Sequence, residues 1–231
     1  MAQARRQDRD FIAARLQLMA EIEAEVRETR SWTGRAALGP RVKAALAKVP
    51  RHEFVRDGDA AQAYLNRPLG IGHGQTISQP YIVAIMTELL DLEADDVVLE
   101  VGTGSAYQTA VLAELAARVY SIEVVAELAE AARAKLARLG HANVEVRSGD
   151  GHRGWPEAAP FDAVIVTAAA ERLPPALIAQ LKPGGRLVIP IGRPHGPQML
   201  HRGVKGADGA FASSAILPVA FVPMIAARNR A

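Results

Sequence analysis

Two groups of residues in this chain could do chemistry. The first is Gly70-Ile-Gly72-His73-Gly74-Gln75-Thr76-Ile77-Ser78-Gln79-Pro80-Tyr81, set directly before Ile82-Val-Ala-Ile-Met-Thr-Glu-Leu-Leu90, which has the apolar spacing of a buried helix. A serine ahead of a proline in the first turn reads as a helix N-cap, so Ser78 is expected to cap a helix beginning near Gln79. A helix start presents unpaired amides and partial positive charge, a ready place for a carboxylate. Thr76 and Ser78 are then placed to hold an acidic acceptor, while Gly70, Gly72 and Gly74 let the loop fold over a second ligand.

The second group is a series of acids at the ends of apolar runs: Glu100, Glu123 and Asp150. Glu100 opens Glu-Val-Gly102-Thr103-Gly104-Ser-Ala106. A dinucleotide loop would need G-x-G-x-x-G, and the last of those positions is Tyr107, so the pyrophosphate fingerprint fails. An acid at that turn would repel a pyrophosphate and attract a cationic or amino-bearing ligand. Glu123 follows about twenty residues after the loop, where a carboxylate can accept both ribose hydroxyls. Each acid alone reads equally as a helix cap or a solvated turn residue. In order, at consecutive strand ends, they suit a nucleoside with a positive centre and no phosphates: S-adenosylmethionine.

The elements that must position these groups are legible in the pattern. Short apolar runs at 97–101, 118–123, 144–148, 162–167 and 186–191 alternate with helical segments, as in a parallel sheet with crossover helices. Residues 126–140 form a strong helix expected to end at a left-handed Gly140, and a Pro-Gly-Gly turn at 183–185 is expected to close the next helix. Residues 198–224 suit antiparallel strands at one sheet edge. Upstream, Leu16, Met19, Ile22 and Val26 mark an apolar stripe on a charged helix, read as packing. After Gly39-Pro40 a second helix turns Val42, Ala45, Leu46 and Val49 inward.

With these residues in view, the chain resembles the protein-L-isoaspartate O-methyltransferase family. The resemblance rests on VPRHEFV (49–55), RPLGIGHGQTISQPYIVAIMTELL (67–90), VLEVGTGSAYQTAVLAEL (98–115), GDGHRGWPEAAPFDAVIVTAA (149–169) and LKPGGRLVIPIG (181–192). It implies an α/β, Rossmann-like methyltransferase fold, with a mostly parallel central sheet and helices on both faces. It also implies methyl transfer from S-adenosylmethionine to the α-carboxyl of isoaspartyl residues in damaged proteins and peptides. The ester would then close uncatalysed to a succinimide. Ser78 matches the family's active-site residue, and the expected cofactor set is Thr76, Ile77, Gln79, Glu100, Gly102, Thr103, Gly104, Glu123, Val124, Asp150, Gly151 and Thr167. Ala106 stands where the family usually has a third glycine, and its methyl is tolerable if the backbone there is ordinary. Residues 1–48 fit the family pattern poorly.

Composition narrows the field. The 231 residues suit a single methyltransferase domain, with a helical and substrate-loop region (1–85), a cofactor core (86–197) and a C-terminal edge-strand region (198–231). A formal net charge of +2 with no run of like charges argues against nucleic acid as a partner, and 0 cysteines exclude thiol chemistry. The charged N-terminus has neither a signal peptide nor a membrane span, so the expectation is a cytoplasmic monomer acting on isoaspartyl proteins and peptides. The histidines form no close-spaced pair for a metal. His73 and His152 have no proton to take from an ionised acceptor, and Ser213 and Ser214 lack a nucleophile-elbow setting. Three readings compete: a carboxyl methyltransferase for one dedicated peptide, a non-catalytic sensor of the cofactor, and a nicotinamide dehydrogenase.

Overall fold

The computed structural model describes residues 2–194 and 196–226, so positions 227–231 of the C-terminal region lie outside the described residues. The chain opens with α1 (Ala2–Glu28), α2 (Arg30–Thr33) and α3 (Pro40–Lys48). An antiparallel hairpin of β1 (Leu69–Gly72) and β2 (Gln75–Ile77) follows, then α4 (Pro80–Leu89). On α1 the buried stripe is Leu18, Ile22 and Val26, whereas Leu16 is 68% exposed. The expected stripe was therefore misplaced at its start: stepping back by fours from Val26 reaches residue 18, not 16. On α3, Val42, Ala45 and Leu46 are buried, and Pro40 sits in the first turn as its missing N–H allows.

Residues 70–77, expected to be a loop, pair as a hairpin. Its two turn residues, His73 and Gly74, both have positive φ, of 52° and 70°, as a type I′ turn requires. His73 is thus at an exposed hairpin tip.

A seven-stranded sheet follows, in the order β5-β4-β3-β6-β7-β8-β9. The strands are β3 (Val97–Val101), β4 (Arg118–Glu123), β5 (Val144–Ser148), β6 (Phe161–Val166), β7 (Leu181–Gly192), β8 (Gln198–Lys205) and β9 (Phe211–Val219). Strands β3 to β7 pair in parallel, and β8 and β9 add antiparallel at the edge. The first three strands match the sequence reading residue for residue. β7 starts five residues earlier than read, because Pro183-Gly184-Gly185 is drawn into it as a bulge and not a turn: β7 advances from Leu181 to Arg186 while β6 advances from Phe161 to Ala163. The helix before it, α7 (Pro175–Ala179), is correspondingly short.

Alternation along β3 turns Val98 and Glu100 to one face, and Leu99 and Val101 to the other. The first face carries the larger core, where Val98, Val119 and Ile165 meet the N-terminal helices, α5 (Tyr107–Ala113) and α6 (Ala126–Arg138). The second face is thinner, with Leu99, Val164 and Leu187 packed on Leu177 of α7 and on Trp155. Trp155 meets Tyr120 edge to face at 5.1 Å, so it is a packed turn residue. Gly140, at φ +83°, ends α6 as expected.

Strand order reverses at β3: the chain runs outward to β4 and β5, then returns to β6 on the other side. That reversal opens a crevice beyond the carboxyl ends of these strands. After β9 the chain comes back across it. The Ala169 N–H donates to the Val222 carbonyl and the Met224 N–H to the Ala169 carbonyl, both at 2.8 Å.

Candidate active site

The crevice is a cleft of about 740 Å³, open mouth included, bounded by the loop after β3, the end of β4, Gly151, Thr167 and residues 75–78. Its floor needs glycine at position 102. There φ is +98°, and a Cβ would lie 2.4 Å from Thr167 Oγ1, which itself donates to the Gly102 carbonyl at 2.6 Å. The hairpin reaches over this loop, with Ile71 Cδ1 3.5 Å from where a side chain on Gly104 would begin.

Glu123 fixes the loop. Its Oε2 accepts from the Gly104 N–H at 2.8 Å and its Oε1 from the Val125 N–H at 3.0 Å. An ionised carboxylate offers about four lone-pair sites, so two remain for the ribose hydroxyls of a nucleoside. These residues therefore fit S-adenosylmethionine. Gly102 and Gly104 bring backbone close to the ligand, Glu123 can hold the ribose, and nothing in the loop has phosphate-cradling spacing.

Of the expected cofactor residues, Thr76, Ile77, Gly102, Thr103, Gly104, Glu123, Val124, Gly151 and Thr167 all border this cleft, as does Ser78. Three do not. Gln79 faces the neighbouring cleft, where its Nε2 donates to Glu25 Oε2 at 3.3 Å. Asp150 turns back to cap the following turn, its Oδ1 accepting from the His152 N–H at 2.9 Å, so Gly151 borders the cleft in its place.

Glu100 is the third, and the strand pleat explains it. Residue 100 shares the Val98 face and lies wholly buried beneath α5, where its Oε2 accepts from the hydroxyls of Thr109 and of Ser121, the latter at 2.6 Å. Burial, opposed by those hydrogen bonds and reinforced by the nearby Glu123, pushes its pKa up to about 8. Burial thus favours the neutral form of the Glu100 carboxyl, which is part of the packing under the loop.

Two local expectations also change. The N-cap of α4 is Gln79 and not Ser78, because Pro80 already takes the first helical position. The Tyr81 N–H, one of the amides that helix start would have offered, instead donates to Asn66 Oδ1 at 3.0 Å. Ala106, for its part, is not in an ordinary region: its φ is +71°, a left-handed conformation costing roughly 1–2 kcal/mol for a residue with a Cβ.

Sequence reasoning missed two walls. Val222, Pro223 and Met224 close the cofactor cleft, carried there by the return crossing after β9. The second cleft shares Thr76, Ser78, Thr167 and Val222 with the first, and is walled by Glu25, Thr29 and Trp32 from the N-terminal helices. Glu25 Oε2 accepts from Asn66 Nδ2 at 2.8 Å, and the Thr29 hydroxyl bonds that of Tyr81 at 2.7 Å. Those helices, read as packing alone, also wall this second cleft beside α4. Among the described residues no cluster of His, Cys, Asp or Glu could hold a metal, and no helix is long and apolar enough to cross a membrane.

A doubly wound sheet with an acid-held glycine loop at its reversal defines the class: a Rossmann-like methyltransferase that uses S-adenosylmethionine. A sequence model of the protein-L-isoaspartate(D-aspartate) O-methyltransferase family matches residues 30–229. The chain is 55% identical over 217 residues to protein-L-isoaspartate O-methyltransferase 2 of Syntrophobacter fumaroxidans, covering 94% of this chain and 88% of that one. It is 57% identical over 211 residues to the protein of the same name from a Polaromonas species, covering 91% and 100%. A solved structure named protein-L-isoaspartate O-methyltransferase superposes with a TM-score of 0.76 at 27% identity, over 90% of this chain and 65% of that one. A Plasmodium falciparum relative, described as a putative enzyme of this kind in complex with S-adenosyl-L-homocysteine, shares the fold with a TM-score of 0.73 at 23% identity, over 90% and 98%. This chain belongs to the protein-L-isoaspartate(D-aspartate) O-methyltransferase family.

Two outcomes follow from the geometry. Gly102→Ala, caught between a left-handed backbone and Thr167 Oγ1, is expected to cost about 1–3 kcal/mol of stability and to weaken S-adenosylhomocysteine binding, measured by calorimetric titration, at least tenfold; parent affinity would mean the loop is not the floor of the cofactor site. Glu100 holds a proton in the folded state that the unfolded chain releases near pH 4.5, so stability should fall as pH rises from about 4.5 to about 8 and level off above. Glu100→Gln should remove that slope, gaining on the order of a few kcal/mol at pH 8 relative to pH 4.5. Chemical denaturation at the two pH values measures the difference, and parallel pH curves for the two proteins would show that Glu100 is ionised.

Proposed function

We propose that this protein methylates the α-carboxyl of L-isoaspartyl residues in damaged proteins and peptides, as a cytoplasmic monomer and within a single methyltransferase domain. The observation that carries the reading is the junction of two clefts at Thr76, Ser78 and Thr167. One cleft has the glycine loop and Glu123 of a nucleoside site, and the other is open to a peptide. A group held in the second meets a group held in the first at Ser78.

S-adenosylmethionine supplies a sulfonium-activated methyl, which the acceptor oxygen takes while the carbon–sulfur bond pair returns to sulfur. The protein has little acid–base work to do. A carboxyl with a pKa of roughly 3 to 4 is already ionised at neutral pH, so no residue need act as general base. The demand is alignment. Holding nucleophile and methyl in line is worth up to about 7–11 kcal/mol in favourable intramolecular cases. Ser78 is assigned the hydrogen bond that orients the acceptor carboxylate, with Thr76 beside it. Glu123 and the glycine loop fix the donor, and residues 222–224 keep water from the methyl.

The direct test is transfer of labelled methyl to a peptide containing one isoaspartyl residue, against the same peptide with ordinary aspartate. Methylation of the first alone supports the reading. Activity confined to one natural peptide sequence would replace repair with a dedicated modification. Ser78→Ala should lower kcat about ten- to a hundredfold while S-adenosylhomocysteine affinity stays within about threefold; unchanged kcat would remove Ser78 from the acceptor side.

A further inference from the structure

Arg51 lies in the segment Val49-Pro-Arg-His-Glu-Phe-Val55, which neither cleft explains. Its side chain is completely buried. A guanidinium keeps its charge in an interior, so a buried arginine ordinarily brings a carboxylate with it. Here none comes. The Nε–H donates to the Ala63 carbonyl and an Nη2–H to the Ser78 carbonyl, both at 2.8 Å, and the guanidinium lies 4.9 Å from the centre of the Tyr107 ring. Nη1 has no partner, and among the described residues no acid forms an ion pair with Arg51. Burial lowers its pKa to about 10, with Tyr107 and Tyr64 opposing the shift, so it stays charged at neutral pH.

One side chain thereby reaches both clefts, since Tyr107 borders the cofactor cleft and Ser78 borders that cleft and its neighbour. Leaving a charge buried without a counter-ion destabilises a fold. The compensation is a positive charge directly behind Ser78, where the acceptor has to arrive as an anion. In a low-dielectric interior that attraction extends past contact distance. We propose that Arg51 is a positioning residue for methyl transfer, holding Ser78 through its carbonyl and keeping one buried positive charge for the acceptor carboxylate to balance. This rests on the assignment of Ser78 to the acceptor side.

The charge has a consequence for turnover. The acceptor enters as a carboxylate and leaves as a neutral methyl ester, so the attraction is present for substrate and gone for product. Arg51 then favours ester release, and its charge acts on substrate affinity more than on the chemical step. The two duties separate by substitution: lysine keeps the charge and loses the fixed fork that grips the Ser78 carbonyl, and methionine loses both.

The test measures binding of an isoaspartyl peptide and of its α-methyl ester to the S-adenosylhomocysteine complex, for the parent, Arg51→Lys and Arg51→Met. The parent should bind the free acid at least about tenfold more tightly than the ester. Arg51→Met should bring that ratio to within about twofold, and Arg51→Lys should keep most of it while kcat falls about tenfold or more. A ratio unchanged in Arg51→Met, or lost equally in Arg51→Lys, would overturn the charge role. If a variant does not fold, the parent decides: the guanidinium NMR resonances of Arg51 should shift on adding the isoaspartyl peptide and not its ester, and equal shifts would overturn the proposal. Parent turnover is measured alongside. Failure of the parent to methylate the peptide counts against the proposed function, whereas parent turnover with an unmoved ratio counts against Arg51 alone.

Discussion

The carboxylate of Glu123 is the point on which the site's geometry depends. It takes the Gly104 N–H with one oxygen and the Val125 N–H with the other, binding the loop after β3 to the chain leaving β4. Neighbouring parallel strands can end in many relative conformations. Two hydrogen bonds to a single ionised group select one, at roughly twice the strength of neutral pairs. With that loop fixed, Gly102 can lie flat against Thr167, Ile71 of the hairpin can rest over Gly104, and the returning chain at 222–224 has a defined rim to close on.

Beneath and behind this surface the charges are arranged unevenly. Glu100 sits buried under the loop, where burial favours its neutral form, whereas Glu123 borders the cofactor cleft itself. Around the second cleft a buried cation lies behind Ser78, and Glu25, its carboxyl pKa raised by burial, is held by the amides of Asn66 and Gln79. Glu25 lies on α1, ahead of residue 30, where the family match starts.

Much of this was legible in the sequence, for physical reasons. Buried parallel strands are continuous apolar runs, so β3, β4 and β5 could be bounded to the residue, and the acids at their ends could be ordered along one edge. What failed depended on which way a side chain turns. Glu100 was assigned to the ligand, yet pleat parity from Val98 sends it into the core, a check available from the sequence itself. Asp150 and Gln79 point to local partners that single-residue reasoning does not rank. The proline that marked a helix start also displaced the cap from Ser78 to Gln79. Ala106 in a left-handed backbone, and the crossing of residues 222–224 over the cleft, were not legible: both follow from tertiary packing, and neither leaves a periodic signal.

The account's central claim is spatial: a sulfonium nucleoside lies across the carboxyl edge of the sheet with its sulfur directed at Ser78. A crystal structure of the complex with S-adenosylhomocysteine tests it most directly. The expected result has both ribose hydroxyls within hydrogen-bond distance of Glu123, the ligand against Gly102 and Gly104, and its sulfur facing the junction of the two clefts. A ligand seated elsewhere, or ribose hydroxyls turned away from Glu123, would contradict the account.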